Sequence, residues 1–231
     1  MSLEGFLLLN KPCGPSSFKM IYHLRKLTDV KKIGHAGTLD PFASGLLLIA
    51  IGKKYTKRLA ELQKLSPKIY DVQIVLGQTS ASLDPETPLS NGPIIQNLSK
   101  SMVLDACSHF IGETDQIPPE YSAKHVNGKR SYLLARQGKA IALEPVKVQI
   151  SDICLQSIDT TGPFILLNIR IACGAGCYIR SFARDLAQKL GTVAYCKQLH
   201  RFGIGPFLSS DALNLDKADL NLLQSKLFHT F

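Results

Sequence analysis

Apolar and polar residues alternate over 69–76, which puts Tyr70, Val72, Ile74 and Leu76 on one face of a predicted strand and Asp71 and Gln73 on the other. Residues 164–173 share that two-residue period, with Ile165, Leu167, Ile169 and Ile171 facing one way, and 146–155 reads as a further strand. Residues 6–9 and 121–126 are shorter strands, the second turning at Asn127-Gly128. Leu46 to Ile51 is an unbroken apolar run, suited to a strand buried on both faces. Helical spacing appears first after Ser16 or Ser17 and runs to about Leu27, with Phe18, Ile21, Tyr22 and Leu24 as the inward positions. Tyr55, Leu59, Leu62 and Leu65 space a second, strongly basic helix that ends before Pro67. Further helices are predicted over 99–110, over 131–137 with Gly138 as the stop, and over 178–190 with Gly191 as the stop. The helix over 178–190 has Ile179, Phe182, Ala183, Leu186 and Leu190 on its apolar face. Residues 78–93, polar and rich in Ser, Thr and Pro, read as a surface loop, and a short polar-capped helix closes the chain.

The stretch 33–52 departs from both periods. Gly34, Gly37 and Gly45 let the backbone fold back, and the carboxylate of Asp40 stands between them, before Pro41. Asp-Pro favours turn initiation, so Asp40 is expected on an irregular segment beside a rigid strand. There it reads either as a turn former or as a reacting group. The glycines fit neither a P-loop, which needs Lys-Ser or Lys-Thr after the second glycine, nor the Gly-x-Gly-x-x-Gly dinucleotide pattern. Asp40 has no acidic neighbour between Asp29 and Glu61, so a partner for it must come from a distant segment.

Charge changes the picture more than composition does. The 231 residues carry a net charge of +9, of which residues 1–70 hold twelve basic and four acidic side chains and residues 121–205 the same numbers. Residues 71–120 hold one basic side chain and seven acidic ones. Two basic segments flanking an acidic one predict a polarised surface that attracts a polyanion such as nucleic acid. With 45% hydrophobic residues the chain is long enough for one large domain, expected over 1–210 and followed by a short helical tail over 211–231. The start has no basic leader and no run reaches a membrane span, so a cytoplasmic location with reduced cysteines is expected. Cys173 and Cys177 are three residues apart without a second pair or a nearby His, and they read as buried thiols rather than metal ligands. Arg180 falls in the first turn of its helix, the positive end of the dipole. It reads either as a snorkelling surface residue or as a cation serving an anion, phosphate or carboxylate.

Gly34-His35-Ala36-Gly37-Thr38-Leu39-Asp40-Pro41-Phe42-Ala43-Ser44-Gly45-Leu46-Leu47 resembles the signature of the TruB-type tRNA pseudouridine synthases. Four further blocks follow that family's order: Leu8-Leu9-Asn10-Lys11-Pro12, Lys68-Ile69-Tyr70, Pro118-Pro119-Glu120-Tyr121-Ser122-Ala123 and Gly176-Cys177-Tyr178-Ile179-Arg180. The resemblance implies an α+β pseudouridine synthase fold: a mixed, mainly antiparallel sheet flanked by helices and RNA-binding loops. It implies an isomerase that converts uridine 55 in the T-loop of tRNA to pseudouridine after base flipping, without cofactor or metal. Asp40 matches the family's catalytic aspartate, Arg180 the arginine that keeps it charged, and Tyr70 the tyrosine that packs on the uracil. His35 matches the histidine that braces the vacated base position. Lys11, which the turn-rich link after residue 9 places near the surface, and Tyr121, Lys124, Lys129 and Arg130 are the further RNA-binding candidates.

The chain departs from the family at Ser80-Ala81-Ser82, where members commonly carry Thr-Asp-Thr, so an acidic side chain expected there is missing. His125 stands where a lysine is usual, and Cys177 where a threonine is usual. The small RNA-binding domain common beyond the catalytic one is not expected. A monomer acting on the tRNA T-arm without guide RNA is therefore expected, with binding resting on the basic catalytic surface. The competing expectations are a synthase acting on another RNA and a catalytically silent RNA-binding or RNA-folding protein.

Overall fold

The computed structural model describes residues 3–122, 124–126, 128–139 and 143–230, with backbone only for His125, Val126, Lys129 and Lys217. Strand β1 (Gly5–Lys11) leads into helix α1 (Ser17–Thr28), whose N-cap Ser16 accepts from the Lys19 N–H. Strands β2 (Ile33–Ala36) and β3 (Ser44–Ile51) flank the Asp40 loop, followed by helices α2 (Lys53–Thr56) and α3 (Leu59–Lys64). Strand β4 (Lys68–Leu76) precedes the hairpin β5 (Gln78–Ser80) and β6 (Leu89–Asn91), then α4 (Lys100–Ser108) and β7 (Gly112–Gln116). A small hairpin, β8 (His125–Val126) and β9 (Lys129–Arg130), runs into α5 (Ser131–Ala135). The long strands β10 (Val146–Asp159) and β11 (Ile165–Cys173) lead to α6 (Ile179–Lys189), and β12 (Ala194–Ile204), β13 (Phe207–Leu208) and α7 (Leu220–Ser225) close the chain.

These elements divide into two compact units, residues 3–70 with 199–230, and residues 71–198. The chain passes between them within β4 and again within β12. In the first unit β3 is the central strand. It pairs antiparallel with β1 along its length (Leu7 opposite Ile49), antiparallel with β2 (Ala36 opposite Leu48) and parallel with β12 (Arg201 opposite Gly45). Its apolar run is buried on both faces, as predicted. Leu47, Ile49 and Ile51 join Leu7 and Leu9 and the Met20, Ile21 and Leu24 side of α1; Leu46, Leu48 and Ala50 join Phe6, Tyr55 and Leu62. Residues 211–230 belong to this unit: Leu213 and Leu223 enter the α1 cluster, and Phe6 and Phe228 exchange backbone hydrogen bonds.

In the second unit β10 pairs antiparallel with β11 and with β7, and two register shifts in the β10–β11 pairing follow Ile150 and Leu155. Leu167, Ile169 and Ile171 are buried on one face of β11, and Phe182 of α6 meets Phe110 edge to face at 5.4 Å. The Gly138 and Gly191 stops hold, both with positive φ (66° and 78°) just past their helices. Both units are thus mixed or antiparallel sheet with helices, an α+β fold. Among the described residues no helix is long and apolar enough to cross a membrane.

Three expectations are corrected. Phe18 and Tyr22 do not face inward: they are 65% and 49% exposed, because the inward arc of α1 is filled by Ser17, Met20, Ile21 and Leu24. The basic helix before Pro67 is two short helices, interrupted at Arg58, whose backbone leaves the helical region (φ −92°, ψ 4°). Residues 78–93 are not a surface loop throughout, since the hairpin encloses buried Ser80, Ser82 and Asp84.

Gly45 shows how closely the first unit is packed at the Asp40 loop. It has φ +104°, and a Cβ there would lie 2.4 Å from the Arg201 carbonyl oxygen of the neighbouring strand. Gly45→Ala is expected to destabilise the protein by about 2–4 kcal/mol, combining backbone strain with overpacking against main chain. A urea unfolding curve checks this, and an unchanged midpoint refutes the close approach.

Candidate functional site

Asp40 opens a tight turn in which the Ala43 N–H donates to the Asp40 carbonyl (3.1 Å), with Pro41 preset for the second position. Its side chain is half-buried, on an irregular segment at the foot of β3, as the sequence predicts. Every neighbour of this turn is tied down. The hydroxyl of buried Ser17, at the start of α1, donates to the Leu39 carbonyl (2.8 Å) and accepts from the Leu39 N–H (2.9 Å). The Gly14 N–H donates to the Pro41 carbonyl (2.8 Å) and the Cys13 thiol to the Phe42 carbonyl (3.1 Å).

Two buried cations complete the frame. Lys11 is fully buried rather than near the surface, and its ammonium donates to the carbonyls of Pro12 (2.9 Å), Pro15 (2.8 Å) and Pro41 (3.2 Å). The turn-rich sequence around Lys11 conceals this, because the turn wraps the ammonium with its own carbonyls. Arg201, which sequence reasoning passed over, is also buried: Nε donates to the Leu46 carbonyl (2.7 Å) and Nη2 to the Gly37 carbonyl (2.8 Å). It therefore grips the segment on both sides of Asp40. The signal available was the neighbouring glycine, since Gly37, with φ +71°, lets the guanidinium approach to 3.4 Å of where its Cβ would be.

His35 lies on β2, partly buried, with its Nδ1 enclosed and, among the described residues, without a hydrogen-bond partner. Burial lowers its pKa from the usual histidine value, and the Arg201 charge lowers it further. The imidazole is thus held neutral at pH 7, which suits an apolar, base-stacking role.

In the second unit Arg180 is 3% exposed in the first turn of α6. Its Nη1 meets the Asp84 carboxylate (3.0 Å) and donates to the Ser82 carbonyl (2.6 Å), and Nη2 donates to the Tyr121 carbonyl (2.8 Å). Of the two readings of Arg180, the one serving an anion holds, and an anion it meets is the Asp84 carboxylate. Asp84, 2% exposed, is aimed inward by Leu83, whose φ of 60° turns the chain back on itself. Its carboxylate also accepts from the Ser82 hydroxyl (2.5 Å) and the Glu86 N–H (2.9 Å). The block Ser80-Ala81-Ser82 carries no acid, and Asp84, two residues past it, is buried against Arg180. The start of α6 is set by Gln116, whose side-chain amide pairs with both the N–H (2.8 Å) and the carbonyl (3.1 Å) of Tyr178.

The other candidates are placed as follows. Tyr70 is buried on β4, on the face it shares with Val72, Ile74 and Leu76. Tyr121 contributes its carbonyl to Arg180. Lys124 donates to the Glu144 carbonyl (3.2 Å), and Arg130 is exposed at the N-terminus of α5. The Lys129 side chain lies outside the described residues. Within the first unit the structure brings Lys11, Asp40 and Arg201 onto one loop, and within the second it joins Tyr121 and Arg180.

The same fold occurs in solved structures of a Cbf5-Nop10-Gar1 complex (TM-score 0.69, 24% identity, 97% of this chain) and of an H/ACA ribonucleoprotein bound to a substrate RNA containing 2′-deoxyuridine (TM-score 0.67, 22% identity, 96% of this chain). This chain spans 60% and 58% of those two chains. Residues 25–179 match the family model described as TruB family pseudouridylate synthase (N terminal domain), and the chain belongs to that family. It is similar to proteins named tRNA pseudouridine synthase B from Protochlamydia amoebophila (44% identity, 92% of this chain and 78% of that protein) and Chlamydia felis (41%, 95% and 92%).

Two outcomes test this geometry. In an NMR titration His35 is expected to titrate below the ordinary histidine value, and Arg201→Met to move it partway back, since burial is the larger cause. By linkage, the group costs stability as pH falls below about 6.5 and through its folded pKa, and none above. For the buried pair, Asp84→Ala is expected to destabilise by about 3–5 kcal/mol, because it leaves the Arg180 guanidinium buried without that carboxylate. A denaturant midpoint within error of wild type refutes the pairing.

Proposed function

We propose that this protein is the isomerase that converts uridine 55 in the T-loop of tRNA to pseudouridine, acting without a guide RNA. The observation that carries the proposal is similarity over more than nine-tenths of the chain to proteins named tRNA pseudouridine synthase B. The braced Asp40 turn supports it, because a reacting carboxylate must be held in place while a flipped nucleotide is brought to it.

In this reading the N1–C1′ bond of the uridine breaks, the uracil turns, and C5 joins the same sugar carbon. The C5 proton leaves and N1 ends protonated, so atoms and charge balance with no redox partner. Asp40 is the nucleophile, or the charge that stabilises the separated sugar. Tyr70 packs on the uracil, and Arg180, which Asp84 holds, matches the arginine that the family sets against the catalytic carboxylate. His35, neutral and apolar in character, fills the space the base leaves. Lys124, Lys129 and Arg130 contribute salt-sensitive contacts to the RNA backbone.

The test is incubation with an unmodified tRNA transcript, followed by base-specific mapping of pseudouridine. Product at the T-loop uridine without added RNA is expected from the wild type. Asp40→Asn is expected to lose turnover entirely while tRNA affinity stays within a few fold, since the amide keeps the size but not the charge. Measurable isomerisation by that variant removes Asp40 from the mechanism.

A further inference from the structure

The exposed side of α1 is a surface that the catalytic reading does not use. At 100° per residue, Phe18, Tyr22, Lys26, Lys19 and His23 fall within one arc of about 140°, opposite the buried Ser17, Met20, Ile21 and Leu24. Two large aromatic rings lie open at one edge of this arc, Lys26 and Lys19 follow beside them, and His23 forms the other edge. The two classes touch: the Lys26 ammonium sits 4.9 Å from the Tyr22 ring centroid, and the Arg25 guanidinium 6.0 Å from that of Phe18.

Acidic residues are sparse beside the helix in sequence, and in space Glu4 lies against Gly52 and the segment carrying Asp216 and Asp219 packs on the cluster that α1 joins. Between Gly5 and Ala60 the acidic residues are Asp29, at the far end of the helix, and Asp40. Past that end the exposed Lys31 and Lys32 continue the positive charge, and the Gly52 N–H donates to the Lys32 carbonyl (2.8 Å), placing exposed Lys53 beside them. The near end of the helix is joined to the Asp40 turn through the Ser17–Leu39 hydrogen bonds. A stripe about 12 Å long from Phe18 to Lys26, at about 1.5 Å per residue, therefore leads away from the candidate catalytic loop.

We infer that this face of α1 binds RNA: the rings of Phe18 and Tyr22 stack on unpaired bases, and Lys19 and Lys26 contact phosphates of the strand leading to the target nucleotide. Charge complementarity selects the occupant. An apolar protein partner gains nothing from the lysines, whereas nucleic acid offers base faces to the rings and phosphates to the ammonium groups. The inference rests on the proposal that the substrate is an RNA, and it names a contact outside the catalytic loop.

The experiment measures binding of an unmodified tRNA transcript to full-length protein over a salt series, in parallel with isomerisation of the same transcript. Because Phe18 and Tyr22 are exposed, Phe18→Ala/Tyr22→Ala is expected to keep the wild-type melting temperature and to weaken binding at least tenfold, with the salt slope unaltered. Lys19→Gln/Lys26→Gln is expected to reduce the slope of log K against log salt by about 1.4, at about 0.7 per single-strand phosphate contact. Affinities within twofold of wild type for both variants, from an enzyme that isomerises the transcript, overturn the α1 inference alone. Affinity that depends on α1 in a wild type that makes no pseudouridine overturns the catalytic proposal and leaves this one standing. Self-association of the wild type that Phe18→Ala/Tyr22→Ala abolishes, with RNA binding unaltered, assigns the face to a second copy of the chain and overturns the RNA reading.

Discussion

The Asp40 loop of the first unit depends on positive charge buried against backbone carbonyls. Lys11 and Arg201 together donate to carbonyls at residues 12, 15, 37, 41 and 46, a set that surrounds Asp40 in sequence and in space. A charged donor makes a shorter and stronger hydrogen bond than a neutral one, which offsets the cost of taking the cation out of water. The carbonyls gain as well. An irregular loop beside an apolar strand cannot satisfy its own acceptors by pairing, and without the cations several would be left in the interior. The charge also reaches beyond the loop, since the Arg201 guanidinium disfavours protonation of His35.

The second unit meets a similar need by another route. Arg180 is as deeply buried as Arg201, but a carboxylate faces it, and that carboxylate is itself held by the Ser82 hydroxyl and the Glu86 N–H. The left-handed backbone of Leu83 is the local cost of turning Asp84 inward. Two units thus each fix a polar group in the interior through long-range side-chain bonds.

The regular elements were legible where one period dominated. The alternation over 69–76 and 164–173, the double-sided burial of 46–51 and the glycine stops at 138 and 191 were all readable, because burial and positive φ leave marks in residue choice. What escaped notice was set by distant chain. Strand β12 carries His200, Arg201 and Gly203 among its apolar residues, so neither period shows, and Arg201 resembles a surface residue until its carbonyl partners are known. Phe18 and Tyr22 satisfy helical spacing for an inward face, but Met20, Ile21 and Leu24 satisfy it too, and only the packing against β1 and β3 decides between them. The roles expected of Asp40, Tyr70 and Arg180 come from the family resemblance. Asp84 was not found, because a Ser-, Thr- and Pro-rich stretch reads as solvent-exposed whatever it encloses.

The guanidinium that grips the Leu46 carbonyl comes from a residue 155 positions further along the chain. During synthesis from the N-terminus, β1, α1 and β3 can emerge and begin to pack long before that grip exists. The Asp40 turn therefore gains this brace only when β12 arrives beside Gly45 and brings both its backbone and its side chain into place. A nascent chain carries the Asp40 turn without that grip until β12 has been made.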